Sequence, residues 1–138
     1  MSGEYVGKLI ERATAFLEEA EKVPNADLAM FFVEQGLQLY VKAVYYELFG
    51  IMLRGRRLRE LLGALAKALE EHGYAQVAEK LVEFVDGNRR ALIMIEESYI
   101  TSRYGEFGYS RSDVEKALHV AKRLRNVLEE VRRNVKLG

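Results

Sequence analysis

The sequence predicts an all-α protein: an antiparallel up-and-down bundle of four to five main helices plus a short one, in a single domain spanning residues 1–138. Three observations carry that prediction. Apolar residues recur at spacings of three and four in almost every segment, and no stretch alternates with the period of a strand. The breaks between periodic segments are short, which favours antiparallel neighbours. Hydrophobic residues make up 49% and charged residues 30% of the chain, a globular balance in a chain long enough to bury a core without covalent staples.

Each element has its own local reason. In the first helix Val6, Leu9, Ile10, Ala13, Phe16, Leu17 and Ala20 form one apolar stripe. Pro24 stops it, and Asn25 is placed to cap a second helix from about Ala26 to Phe49, with Asp27 in its first turn and Gly50 as its left-handed end. That helix is apolar nearly all round, which predicts a central position against several helices or a second subunit. A basic connection, "GIMLRGRRLR", leads to a helix marked by Leu58, Leu61, Leu62, Leu65 and Leu69 and ended by His72-Gly73. Val77, Leu81, Phe84 and Val85 mark the short helix, closed by Gly87. Asn88 is expected to cap the next, which carries Leu92, Ile95 and Tyr99. The last helix shows Val114, Ala117, Leu118, Ala121, Leu124, Leu128 and Val131, preceded by two overlapping capping boxes, Ser110 with Asp113 and Ser112 with Glu115.

Composition removes several classes of function. There is no cysteine, so disulfides and thiolate metal sites are excluded, and two histidines cannot build a His-rich metal centre. No cofactor-binding glycine loop, zinc-protease motif or nucleophile elbow occurs. No apolar run approaches a membrane span, and Glu4 and Arg12 interrupt what would be the core of a signal peptide, so a cytoplasmic protein is expected. The net charge is zero, which argues against generic attraction to nucleic acid. Its distribution is uneven: residues 1–50 carry four Lys/Arg and eight Asp/Glu, leaving the rest correspondingly basic. Abundant Glu, Lys and Arg with a single proline point towards a thermophilic source.

Three groups of residues are candidates for function. Arg54, Arg56, Arg57 and Arg59 flank a helix start, where exposed N–H groups and guanidinium groups together would favour a bound anion. Gln35, Gln38 and Lys42 share one side of the apolar second helix, as either its solvent strip or a groove. Around the break after the fifth helix, "SYITSRYGEFGYSRSD" gathers Tyr99, Arg103, Tyr104, Phe107 and Tyr109, rings that stack on bases or plug the end of the bundle. Glu96 and Glu97 point about 100° apart on a helix and make a poor acid–base pair, which leaves them as solvated or salt-bridging residues. Both histidines are expected at the surface.

These residues, in this order, resemble the HEPN family, small helical domains associated with nucleotide binding. "DLAMFFVEQGLQLYVKAVYYELFG" is similar to the family's second helix, here with Gln35 and Lys42. "RRLRELL" stands where the family often has His-Asp-Leu. "SYITSRYGEFGYSRSDVEKAL" is similar to its tyrosine, Arg-Tyr-Pro and final-helix region, with Tyr99, Arg103 and Tyr104 present and Gly105 replacing the proline. The resemblance covers about residues 5–133. It implies a homodimer, and a setting beside a minimal nucleotidyltransferase in a toxin–antitoxin-like pair. Some members are ribonucleases whose motif is an Arg followed, about four to six residues later, by a His. At that distance before His119 stand Ser112, Asp113 and Val114, and before His72 stand Leu65, Ala66 and Lys67. Metal-independent RNA cleavage needs a proton shuttle near neutral pH, and His is the natural one. The expectation is therefore a non-catalytic subunit without cofactor or metal, in which Gln35, Lys42, Arg57, Arg103 and Tyr104 contact nucleotide, RNA or the partner protein. A ribonuclease without the usual Arg/His motif and a purely structural dimeric module are the alternatives.

Overall fold

A computed structural model describes residues 3–135 and, among them, six helices and no strand. They are α1 (Gly3–Lys22), α2 (Ala26–Phe49), α3 (Leu58–Glu71), α4 (Ala75–Gly87), α5 (Arg89–Tyr104) and α6 (Arg111–Asn134). The bundle expected from the periodicity is the one observed. None of the described helices is long and apolar enough to cross a membrane.

Helix α2 is the axis. Asn25 caps its start through a 2.9 Å bond from the Leu28 N–H, and Gly50 ends it at φ 74°, a left-handed turn that favours glycine. Ala29, Met30, Val33, Leu37, Tyr40, Val41 and Val44 are all buried. The helix packs against α1, α3, α5 and α6, so one chain accounts for apolar residues on most of its sides. Its approach to α1 is close: a Cβ on Gly36 would lie 2.9 Å from Leu17 and 3.0 Å from the Ala13 carbonyl. Fully buried leucines of α3 and α6, such as Leu62, Leu65, Leu124 and Leu128, complete the core and contribute about 2 kcal/mol each.

Polar contacts fix the outer helices. Arg132 on α6 grips Glu47 of α2 with two bonds of 2.6 and 3.1 Å and reaches Glu129 at 3.0 Å. The Tyr40 hydroxyl donates to the same Glu129. Ser110 and Asp113 form a complete capping box at the start of α6, whereas Ser112 lies inside its first turn. Arg111 donates to the carbonyls of Glu21 and Val23 at 3.2 Å, placing a cation at the end of α1.

Two local expectations are corrected. The Asn88 side chain does not cap α5; its amide donates back to the Phe84 carbonyl at 2.8 Å and accepts from Arg123, so it closes α4. Nor do Tyr104 and Phe107 plug the bundle, being 75% and 81% exposed. The segment after α5 is drawn instead to the α1–α2 turn, where Asp27 accepts the Tyr109 N–H at 2.7 Å. Only Tyr109 turns in against the core.

Candidate functional site

The polar side of α2 is built on a carboxylate absent from the sequence reading. Glu34 is 1% exposed. Its two oxygens accept from Gln35 at 2.7 Å and from Gln38 at 2.8 Å, and Lys42 donates to the Gln38 side-chain Oε1 at 3.1 Å. Gln35, Gln38 and Lys42 are therefore a half-buried ladder over an internal charge, not a solvent strip. Burial pushes the Glu34 carboxyl above its ordinary value, against the two amide donors and the positive charges of Arg56 and Lys42. Burial also lowers the Lys42 ammonium, against the pull of Glu34.

The second part arrives with the connection from α2 to α3. Arg56 feels Glu34, which lies about 22 Å before the end of α2 at the rise of a helix, so residues 50–57 run back along α2. There the Arg56 guanidinium sits 4.5 Å from the centre of the Tyr99 ring. Arg103 joins the stack, 4.7 Å from Tyr99, 5.1 Å from Phe31 and 5.2 Å from Tyr104. It also donates to the Tyr99 carbonyl at 3.0 and 2.6 Å, satisfying the end of α5. At such exposed positions each cation–ring contact is worth about 0.5–1 kcal/mol. Glu34, Gln35, Lys42, Arg56, Arg103 and Tyr104 are thus brought along one side of the molecule by α2, the returning connection and α5.

The third part is the start of α3, where the expected anion is internal. Glu96 of α5, 7% exposed, accepts the Arg59 backbone N–H at 2.7 Å and the Arg59 Nε at 3.0 Å. One carboxylate thereby caps the helix and neutralises its nearest cation. Of the two roles expected for it, Glu96 takes the salt-bridging one, at a buried position. Arg57 stays outside this arrangement, exposed and paired only with Glu60 at 3.8 Å. Arg56, Arg57 and Arg59 face Glu97, Ile100 and Thr101 across a cleft of about 340 Å³. That volume suits a mononucleotide-sized ligand.

Neither histidine lines this cleft. His72 caps α3, donates to the Ala68 carbonyl at 2.8 Å and packs 4.9 Å from the Phe49 ring. His119 is exposed in a separate groove between α5 and α6. Among the described residues no three His, Asp or Glu side chains are placed to hold a metal ion.

Of the residues that build this candidate site, Glu34, Arg56 in its stacked role, and the capping role of Glu96 escaped the sequence reading. A signal existed for Glu34: a carboxylate four residues before Gln38 in an otherwise apolar helix. No local signal exists for the meeting of Arg56 with Tyr99, which are far apart in the chain. Comparison with curated proteins and with solved structures gives no match. The HEPN domain model matches residues 6–131 of the 138, and the chain belongs to the HEPN family.

Proposed function

We propose that this protein is a non-catalytic HEPN subunit that binds nucleotide or RNA in the cleft between the start of α3 and α5. As a homodimer it would partner a minimal nucleotidyltransferase in a toxin–antitoxin-like pair. Family membership supports a nucleotide- or RNA-related function in general. The observation that carries the specific site is the state of its cations. Arg59 is neutralised by Glu96, while Arg56 is held only by a ring face and the buried Glu34, and Arg57 only by a long exposed pair. Two guanidinium groups therefore remain available to a phosphate in the cleft. The partner and the dimer rest on the family resemblance. Purification from the native host under gentle conditions tests them: a stoichiometric nucleotidyltransferase supports the pair, and a chain that comes out alone argues against it.

RNA cleavage has one observation in its favour: His119 shares its groove with Arg90, Lys116 and Arg123, an imidazole beside cations. Incubating highly purified protein with labelled single-stranded RNA across a pH series tests this second reading. Intact RNA throughout would end it.

A further inference from the structure

Helix α5 has a cleft on each flank. On one side are Arg56 and Arg57, and on the other is a groove of about 400 Å³ against α6. The second groove has an apolar floor of Ala91, Met94 and Val120 and a rim carrying Arg90, Lys116 and Arg123. Asp113, its one carboxylate, is engaged in the capping box of α6. Arg123 is tied to Asn88 at 3.1 Å and lies 5.5 Å from the Phe84 ring. Arg90 and Lys116 are exposed and have no hydrogen bond or ion pair among the described residues.

The outer ridge of α5 forms a wall of the first cleft and reaches the second groove at Arg90. Arg90, Ile93, Glu97, Ile100 and Tyr104 recur at three and four, so they share one side of the helix. The ridge is about 21 Å long at the rise of a helix. Ile100 is 46% exposed and Tyr104 75%. Cations on both flanks of α5, an apolar floor within the second groove and an exposed ring at the end of the ridge match what single strands use: charges that track the backbone and faces on which bases rest.

We infer that the site takes a single strand of RNA laid across α5, with the α5–α6 groove as a second subsite beyond the first cleft. The inference rests on the function proposed above and gives its ligand a length and a direction. Glu97 lines the first cleft with no hydrogen-bonding partner among the described residues. A carboxylate there repels phosphate but accepts from a ribose 2′-hydroxyl, which selects RNA over DNA. An acidic protein segment is the competing occupant, and its flexible carboxylates would gain little from the flat floor and the ring.

The test is fluorescence anisotropy with AMP as competitor and with labelled single-stranded RNAs, from a dinucleotide to a strand longer than the ridge, plus a DNA of matched length. Affinity is expected to rise with RNA length and to exceed that for DNA. The Arg90→Glu/Lys116→Glu double variant should weaken the long strand about tenfold or more and lower its salt slope by about two, leaving AMP unaffected. AMP binding with no dependence on length or on the double variant would overturn the second subsite while leaving the first cleft intact. Absence of both AMP and RNA binding would overturn the proposed function with it. If the double variant instead loses a co-purifying protein while RNA binding is unchanged, the groove is a protein contact and the inference is wrong.

Discussion

Helix α2 carries two polar clusters that hold their carboxylates in opposite ways. Towards its C-terminal end, Glu47 and Glu129 share Arg132, and Tyr40 donates to Glu129 as well. Burial pushes the Glu129 carboxyl up, but the Tyr40 hydroxyl and Arg132 outweigh it and hold the group below its ordinary value. Burial and the same carboxylate push the Tyr40 hydroxyl up to about 12. Towards the other end, Glu34 has only amide donors within hydrogen-bond reach, and burial wins. The first cluster spends its cation on internal carboxylates and clamps α2 to α6. The second holds a buried carboxyl, pushed up by burial, under a surface whose arginines are less fully paired. Fixed pairing serves the fold, and incomplete pairing marks the candidate site.

The largest test of this contrast is Arg132→Met. It strands two partly buried carboxylates, and about 2–3 kcal/mol of stability should be lost in denaturant unfolding. A loss below about 0.5 kcal/mol would reduce the clamp to a surface pair. Next comes Glu96→Ala, which leaves the Arg59 N–H without its acceptor and should remove about 1–2 kcal/mol. Glu96→Gln should recover part of that, since an amide oxygen still accepts.

The Glu34→Gln effect is smaller and opposite in sign. The folded carboxyl titrates above its ordinary value of 4.5, so its unfavourable contribution exists at neutral pH and disappears as pH falls through the folded value. The variant should match or exceed wild type at pH 7 by up to about 1 kcal/mol, with the gap closing on acidification. Glu129 behaves conversely: its contribution is complete above 4.5 and is lost as pH falls through its lower folded value. Melting curves across pH 3–8 on wild type, Glu34→Gln and Glu129→Gln separate these terms. If the Glu34→Gln advantage grew on acidification, the contrast between the clusters would be wrong. The smallest stability effect belongs to Arg56→Ala, which removes one half-buried cation–ring contact and should cost about 1 kcal/mol or less.

Much of the scaffold was legible because its determinants are local. The bounds of α2 follow from Asn25 and Gly50, and the start of α6 from Ser110 and Asp113. Gln35 and Lys42 were found from helical spacing alone. The rest depended on where the chain travels after leaving a helix. The return of residues 50–57 along α2 puts Arg56 on Tyr99, and no short-range pattern encodes a loop's path. Glu96 reads as either solvated or salt-bridging because its partner Arg59, at the start of a helix some forty residues earlier, lies across a tertiary contact. Tyr104 and Phe107 read as a plug because rings usually bury, yet Asp27 draws the following segment elsewhere.

The most direct measurement is calorimetric titration of AMP and of a short single-stranded RNA into wild type and into Arg56→Ala/Arg57→Ala, with unfolding midpoints taken on the same samples. The cleft account predicts measurable binding to wild type, a loss of about tenfold or more in the double variant, and midpoints that nearly coincide. Equal affinity in the two proteins, or no binding to wild type, would contradict it.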